Sequence, residues 1–283
     1  EIVFCDWSSD VCSSDLKSEV KNMRNLSLIL LIYFIAISCS KYEQTENQGK
    51  LIDLTYNYDS ETVYWPTADT FTRDTVFLGI NDKGFFYSSF NYSASEHGGT
   101  HIDAPKHFAE GGAGIESIPI EAFFGKGVTI DVTKKTETNK DYLVSVEDLT
   151  VWEKNYGKIA DGSIVMLYTG WGRFYHDREK YMGTSERGAA AVEKLHFPGL
   201  SPEAADWLAK NRKVKVICID TPSIDYGQSQ TFETHKILCK NAIYAVENVA
   251  NLDKLPVKGY DIYVFPMKIK GGSGAPVRIV ARI

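Results

Sequence analysis

The sequence predicts a single domain of the α/β class over residues 51–283. Short runs of β-branched and aromatic residues recur along this region, and each run is bounded by Gly, Asp or Pro, as is typical of strands. Segments with recognisable helix starts lie between these runs, which is the pattern of an α/β domain. No Pro/Ser-rich linker or break in composition divides the region, so we expect one domain rather than two.

The strands can be predicted in order along the chain. The first begins at Leu51, and two β-rich segments at 75–79 and 84–91 are separated by the turn sequence NDKG at 81–84. The later strands are clearer, because their β-branched and aromatic runs are longer. They are predicted at 127–132, 163–168, 214–220 and 260–265.

Three helices are predicted between the strands. The first starts near Ser145, and the third covers 232–239. The second starts at Ser201, where a serine at the N-cap and Pro202 at the first helical position form a favourable pair. Each of these helices follows a predicted strand, as an α/β domain requires.

The charge balance excludes one class of partner. The chain has a formal net charge of -6 and no run of Lys or Arg interleaved with aromatic residues. Such a chain offers no basic surface to a phosphate backbone, so we expect no nucleic-acid partner.

Residues 1–50 differ in composition from the rest of the chain. Residues 1–22 carry a polar near-repeat (SSDVCSSD) without strand or helix periodicity, and we interpret them as a non-native leader, with a genuine disordered leader as the alternative. In residues 23–38, Arg24 precedes an apolar run of about 12 residues, shorter than the roughly 20 that span a bilayer, which predicts a lipoprotein signal peptide. Cleavage before Cys39 would leave a lipid-bearing cysteine, with 39–50 as a flexible tether. The expected location is therefore the bacterial cell envelope, where the lipid would be the only membrane contact.

Two cysteines fall in the predicted domain. Cys218 lies inside an apolar run and Cys239 in a helical segment, so we expect both to be small buried thiols, with a single bridge as the alternative in an oxidising compartment. No disulfide framework is implied.

A cluster of metal-ligating residue types lies near the middle of the chain. Three of the six histidines, His97, His101 and His107, fall within eleven residues, and Asp103 lies between the last two. Imidazole and carboxylate groups suit zinc, manganese and iron, and a catalytic site needs few protein ligands plus an open position for water. The cluster therefore predicts a catalytic metal site, with surface or structurally satisfied histidines as the alternative.

The spacing within the cluster predicts a strand rather than a helix. His101 and Asp103 are two residues apart, so on an extended strand both side chains face the same way. Pro105 excludes a continuous helix, and Gly98 and Gly99 favour a loop that enters a short strand.

Two further candidate ligands lie downstream, His235 and Glu247. Glu247 ends an apolar run, and a buried carboxylate needs a cation or a paired charge. From the residues alone, a ligand role and a structural role are equally open for this pair.

The stretch HGGTHIDAPKHF at 97–108 resembles the signature of the metal-dependent cyclase family, whose members include bacterial kynurenine formamidase and isatin hydrolase. Further segments are similar to the family's other blocks and occur in the same order, so the resemblance covers nearly all of residues 51–283. These segments are IDLT at 52–55, Trp65-Pro66, LYTGW at 167–171, PGLSPEAA at 198–205, IDTPSID at 219–225, and His235 with Glu247-Asn248.

The resemblance implies a metal centre whose two ligand groups share Asp103. His97 and His101 would complete the first group, and His235 and Glu247 would complete the second in members that bind two ions. The implied cofactor is Zn²⁺ or Mn²⁺, as one or two ions. The implied fold is a swivelling β/β/α domain of the cyclase/kynurenine formamidase type, often a homodimer.

The resemblance also assigns residues around the metal. His107 matches the position of the general acid/base, and Trp65 and Trp171 match segments near the substrate pocket, which implies a small-molecule substrate. His176 and His196 match no ligand position, and we expect neither to bind metal. An insertion at 174–196 departs from the compact members of the family.

We therefore expect a metal-dependent hydrolase that uses metal-activated water to cleave a carbon–nitrogen bond (amide, formamide or lactam) of a small aromatic substrate. The first alternative is an arylformamidase that acts on N-formylkynurenine. The second, from a different class, is a metal-stabilised ligand-binding lipoprotein without catalytic activity.

Overall fold

The structure, a computed structural model, describes residues 49–283. The predicted leader, signal peptide, Cys39 and almost all of the tether lie outside the described residues. No helix in the described range is both long and apolar enough to cross a bilayer. The strands are β1 (Leu51–Asp53), β2 (Thr72–Ile80), β3 (Phe86–Ser93), β4 (His101–Asp103), β5 (Phe124–Asp131), β6 (Leu143–Val144), β7 (Ile164–Tyr168), β8 (Gly199–Leu200), β9 (Val216–Ile219), β10 (Tyr244–Glu247), β11 (Lys258–Pro266) and β12 (Gly274–Arg282). The α-helices are α1 (Thr133–Thr136), α2 (Val146–Tyr156), α3 (Arg178–Met182), α4 (Ala189–Val192), α5 (Pro202–Asn211) and α6 (Glu233–Lys240).

Eight strands form one mixed sheet that closes on itself. Their order is β1-β12-β11-β5-β7-β9-β10-β4, and β12 also pairs with β4. One edge of β12 is divided between two partners, because its first residues pair with β4 and its last residues pair with β1. The pairs from β5 through β10 are parallel and the others are antiparallel. The predicted α/β class is thus confirmed, and the short strand β4 is held between β10 and β12.

The two faces of the central strands belong to two separate hydrophobic cores. In β7, Ile164 and Met166 belong to the core inside the closed sheet, whereas Val165 and Leu167 belong to the core under the helices. Side chains of α2, α5 and α6 cover this second core. Strands buried on both faces are expected to be continuously apolar, which explains why β7 and β9 were visible in the sequence.

The predicted strands at 127–132, 163–168, 214–220 and 260–265 correspond to β5, β7, β9 and β11, with ends that differ by a few residues. The longest disagreement is β12, which the sequence did not predict. Pro276 lies within it, and a proline argues against a central strand because it cannot donate to the ladder. The structure accommodates Pro276 opposite His101, at the junction where β12 pairs with β4.

The predicted helix starts and the predicted thiols are confirmed. Ser201 caps α5 by accepting a hydrogen bond from the Ala204 amide. Ser145 caps α2 and forms a reciprocal capping box with Asp148. Cys218 and Cys239 are both buried free thiols.

Strands β2 and β3 form a separate two-stranded hairpin with an unusual surface. They pair with each other over eight residue pairs, and almost every residue of both strands is exposed. The exposed residues include many large apolar side chains, namely Val76, Phe77, Leu78, Ile80, Phe86, Tyr87, Phe90 and Tyr92. An isolated hairpin is marginally stable in water, and a large exposed apolar patch indicates an interaction surface.

Asp148→Asn is expected to lower the free energy of unfolding by about 2 kcal/mol near neutral pH, because the carboxylate of Asp148 accepts hydrogen bonds from Lys135, Tyr142 and Ser145. Burial opposes ionisation of Asp148, but these hydrogen bonds outweigh it and lower the pKa. A carboxyl group with a lowered pKa in the folded state stabilises the fold above its unfolded pKa of about 4, and this contribution is lost as the pH falls. Urea titrations should therefore show the difference between wild type and variant narrowing below about pH 4.

Glu147→Gln is the matched control, since Glu147 is exposed in the first turn of the same helix. Its free energy of unfolding should be close to that of the wild type both near neutral pH and below about pH 4. If the free energy of unfolding of Asp148→Asn were below that of the wild type by the same amount at every pH, the electrostatic explanation would be contradicted.

Candidate metal centre and active site

Strand β4 presents two of the predicted ligands on one face. His101 and Asp103 are both buried and point to the same side, while Ile102 between them points into the inner core. On the neighbouring strand β10, Glu247 is paired directly with His101. Side chains of directly paired residues lie on the same face of a sheet, so Glu247 joins the same cluster.

Helix α6 brings His235 to this cluster, and Asp225 fixes the start of the helix. Asp225 accepts hydrogen bonds from the backbone amides of Thr234 and His235 and from His235 Nδ1, the last at 2.6 Å. It thereby replaces an N-cap side chain, since Phe232 at the cap position makes no side-chain cap bond. With Nδ1 engaged by Asp225, only Nε2 of His235 faces the other ligands.

The remaining two histidines stack on one another at the edge of the cluster. His97 lies in the loop before β4, where Gly99 adopts φ +56° as predicted for a glycine-containing loop. His107 ends the short 3-10 helix Pro105–His107. Their ring centroids are 3.7 Å apart with an interplanar angle of 16°.

The ligand atoms converge on the two carboxylates. Asp103 Oδ1 lies 2.7 Å from His97 Nδ1 and 3.5 Å from His101 Nε2, while Asp103 Oδ2 lies 3.3 Å from His235 Nε2. Glu247 is 3.4 Å from His101 Nε2 and 3.1 Å from His235 Nε2. The structure thus brings all five predicted metal ligands together, with one oxygen of Asp103 toward each predicted ligand group.

The cluster fits a divalent cation on two observations. Asp103 Oδ2 is buried and accepts no hydrogen bond within the described part of the chain, although a buried carboxylate oxygen is normally satisfied. The donors are imidazole nitrogens and carboxylate oxygens, the set that zinc and manganese accept. Two ions could share Asp103, with His97 and His101 holding one and His235 and Glu247 the other.

The carboxylates shift the pKa values of the buried histidines in the direction expected of a cluster that favours positive charge. Burial opposes a charge on His101, but Asp103 and Glu247 outweigh it and raise its pKa to about 9. Burial likewise opposes a charge on His235, and Asp103, Asp225 and Glu247 raise its pKa well above the usual value. A metal ion would replace these protons, since imidazole must be neutral to bind a metal.

His107 differs electrostatically from these two histidines. Burial, together with the nearby imidazoles of His97 and His235, lowers its pKa to about 3, although Asp103 opposes this shift. His107 is therefore a neutral imidazole near neutral pH, in contrast to His101 and His235.

An open cavity of about 220 Å³ lies beside the cluster. Its lining includes His97, His101, His107, His235 and Glu247. It also includes aromatic rings that contact one another, because the Phe232 ring centroid is 6.1 Å from that of Trp65 and 5.5 Å from that of Phe108. Trp65 therefore lies where the sequence predicted it, at the cavity.

Two residues that border the cavity have left-handed backbone conformations. Phe232 has φ +52° and Asn248 has φ +53°, although neither is a glycine. Such conformations cost of order 1–3 kcal/mol and occur preferentially at functional sites. Here they aim the Phe232 ring at the cavity and start the turn after Glu247.

Trp171 does not line this cavity. Its indole N–H donates to the Tyr181 carbonyl at 2.8 Å, and its ring packs in a third buried cluster with Tyr175 and Phe197. The family resemblance of its segment placed Trp171 near the substrate pocket, but the Trp171 side chain packs into the core behind the cavity.

Among the described residues, two groups of side chains are close enough to hold an ion: His97, Asp103 and His107 form one, and His101, Asp103 and Glu247 form the other. His176 and His196 belong to neither group, and His196 pairs with Asp141 instead.

Sequence reasoning missed several residues of the site. Phe108 and Phe232 line the cavity, and Asp225 orients His235. Asp225 belongs to a segment that resembles a family block, so its role could have been proposed from that block. Nothing in the local sequence marks Phe232, because its position depends on the left-handed turn before α6.

These features define the protein as an enzyme, a metal-dependent hydrolase: imidazoles and carboxylates converge beside an open cavity, on an α/β fold with a closed sheet. The model of a family described as putative cyclase matches residues 52–226, more than half of the chain, and the protein belongs to this family.

Named relatives agree with this assignment. Isatin hydrolase of Roseibium aggregatum is 29% identical over 195 residues, which cover 66% of this chain and 72% of that protein. Kynurenine formamidase of Bacillus anthracis is 25% identical over 239 residues, which cover 83% of this chain and 98% of that protein. The solved structure of isatin hydrolase A from Ralstonia solanacearum has a TM-score of 0.75 at 28% identity and covers 90% of this chain and 96% of that one.

Proposed function

We propose that the enzyme hydrolyses a ring amide or formamide of a small aromatic substrate. The observation that carries this proposal is the composition of the cavity, whose lining combines the predicted metal ligands with the rings of Trp65, Phe108 and Phe232. Aromatic walls favour a flat apolar ring, and they leave the polar bond of the substrate to face the ligand cluster. The similarity to isatin hydrolase and kynurenine formamidase supports the same substrate class.

The metal would be held by His97, His101 and Asp103, with His235 and Glu247 completing a second position. Bound there, Zn²⁺ or Mn²⁺ would lower the pKa of water and polarise the substrate carbonyl. Asp225 keeps His235 in one orientation, and the aromatic rings keep the scissile bond next to the cluster and away from bulk water.

His107 would carry the proton in this reaction. It borders the cavity, and its ring stacks on that of His97. In the first step His107 accepts the proton of the attacking water as the new carbon–oxygen bond forms. In the second step it returns this proton to the nitrogen as the carbon–nitrogen bond breaks.

Arylformamidase activity is the second candidate. It is supported by the similarity to kynurenine formamidase, which extends over 98% of that relative's length. A formamide is open-chain whereas a lactam is cyclic, so comparison of N-formylkynurenine with isatin as substrates separates formamidase activity from lactam hydrolysis.

The purified enzyme should hydrolyse isatin or N-formylkynurenine, and a chelator should abolish this turnover. His107→Ala should reduce kcat by about 10²- to 10⁴-fold while elemental analysis shows an unchanged metal content. His101→Ala should lose the metal and the activity together, because it removes a ligand from the centre of the cluster. His176→Ala is the control, since His176 is exposed and outside the cluster, and it should behave as the wild type.

The outcomes distinguish the competing assignments. Loss of metal from His107→Ala would make His107 a ligand and refute its role as the acid/base. Bound metal without turnover of either substrate would contradict the proposed substrates and favour either an unfamiliar substrate or the metal-stabilised ligand-binding lipoprotein.

We also propose that the protein is a homodimer joined through the β2–β3 hairpin. The hairpin exposes apolar side chains along both strands, and a second copy would cover them with an identical surface. Leu78→Lys combined with Ile80→Lys should convert the dimer to a monomer in light scattering coupled to gel filtration. Ile120→Lys, which changes an equally exposed residue outside the hairpin, should remain dimeric. A monomeric wild type, or a dimer that survives the double substitution, would contradict this arrangement.

We further propose that the protein is anchored in the bacterial envelope by a lipid on Cys39. This proposal rests on the basic residue, the short apolar run and the cysteine in residues 23–39. Cells fed a labelled fatty acid should transfer the label to the wild type and to Cys239→Ser but not to Cys39→Ser. Label on the Cys39→Ser variant, or an unlabelled wild type, would rule out this anchor.

A further inference from the structure

The imidazole of His97 makes one contact at each of its nitrogens. Nδ1 lies 2.7 Å from Asp103 Oδ1 at the centre of the ligand cluster, and Nε2 lies 2.8 Å from Ser273 Oγ. Only Nδ1 therefore faces the place where an ion would bind. Ligation through Nδ1 requires a free electron pair there, so the ring proton must be on Nε2.

Ser273 is in turn held by Glu96. Glu96 Oε2 accepts hydrogen bonds from the Ser273 hydroxyl and from the Ser273 backbone amide, each at 2.8 Å. A carboxylate can only accept, so the single hydroxyl proton of Ser273 is directed to Glu96. The oxygen of Ser273 is then left as an acceptor for the Nε2 proton of His97.

The backbone around Ser273 is shaped to fit against both partners. A Cβ on Gly274 would lie 2.6 Å from His97 Cε1, and a Cβ on Gly272 would lie 3.0 Å from Glu96 Oε1. Gly274 is also paired with Asp103 across β12 and β4. The two glycines thus allow the start of β12 to approach the cluster closely. Ser273 lies between them, just before β12, and its carbonyl accepts a hydrogen bond from the Ala104 amide at 2.8 Å.

We propose that Glu96 and Ser273 are positioning residues that select the tautomer of His97 needed for metal binding. Glu96 sets the direction of the Ser273 hydroxyl, and Ser273 then holds the proton of His97 on Nε2. Outer partners of this kind commonly orient metal-bound histidines. This inference rests on the proposed metal-dependent function only in requiring an ion at the cluster, and it makes no assumption about the substrate.

The direction of the hydrogen bonds that link Glu96, Ser273 and His97 can be tested with variants. In Glu96→Ala the acceptor of the Ser273 proton is lost, so the Ser273 hydroxyl can donate to His97 Nε2 instead and favour the tautomer that cannot bind through Nδ1. Ser273→Ala removes the acceptor altogether, whereas Ser273→Thr keeps the hydroxyl. Zinc affinity, measured by competition with a chromophoric chelator, should fall about 10- to 100-fold in Glu96→Ala and Ser273→Ala. Ser273→Thr should bind zinc nearly as tightly as the wild type.

Glu116→Ala is the matched control. Glu116 borders the same glycine-rich segment, since its own backbone and the backbone of Gly271 help to lower the pKa of its carboxyl group, and it lies outside the chain from Glu96 to His97. Unchanged zinc affinity in Ser273→Ala and Glu96→Ala would overturn the proposal. An equal loss in Glu116→Ala, or no rescue by Ser273→Thr, would also overturn it, because the effect would then come from the fold of the segment.

Nuclear magnetic resonance reports the tautomer directly. In the zinc-loaded protein with ¹⁵N-labelled histidine, His97 should carry its proton on Nε2, and this proton should exchange faster with water in Ser273→Ala. A proton on Nδ1 in the wild type would refute the proposal. Neither measurement uses a substrate, so the two proposals can fail separately. A protein that binds zinc but hydrolyses no test compound would contradict the proposed hydrolase function, and the zinc affinities and the tautomer of His97 would still test this inference.

Discussion

Two buried carboxylates, placed side by side, set the constraint on which the rest of the site depends. Asp103 and Glu247 are 2% and 4% exposed and contact the same two imidazoles, His101 and His235. Burying like charges is costly unless a cation balances them. The direct strand pairing, the capping of α6 by Asp225 and the stacked histidines all place positive or ligating groups around these carboxylates.

The two kinds of residue that line the cavity come from different kinds of segment. Four of the five predicted ligands lie on strands or a helix, whose backbones are held by regular hydrogen bonds, so these donor atoms are kept in fixed positions. The aromatic lining comes from loop and helix-start residues, including Phe232 in a left-handed conformation. Such segments vary more readily than sheets do. The ligand atoms are therefore the more rigid part of the cavity, and the aromatic lining is the more adaptable part.

The sequence predicts the ligand side of this site better than its surroundings. His101 and Asp103 share a strand face for a reason of local geometry, the period of two, so their convergence is readable from spacing. Glu247 is near His101 only because β10 pairs with β4. The family resemblance suggested that both residues are ligands, but their spacing in the sequence could not show it. Ser273 was not predicted because it immediately precedes β12, a strand that Pro276 argued against. Trp171 shows a limit of the family resemblance, because its segment matches the family while its side chain packs into the core.

The pairing of β4 with β12 has a consequence for how the enzyme is made. β4 has three residues and cannot hold its position without both neighbours, yet β12 follows it by about 170 residues of chain, so closing that contact carries a large loop-entropy cost. Synthesis proceeds from the N-terminus, so the histidines of β4 leave the ribosome long before their partner strand. Folding dominated by such distant contacts is slow. The ligand cluster should therefore be among the latest parts of the molecule to acquire its native geometry.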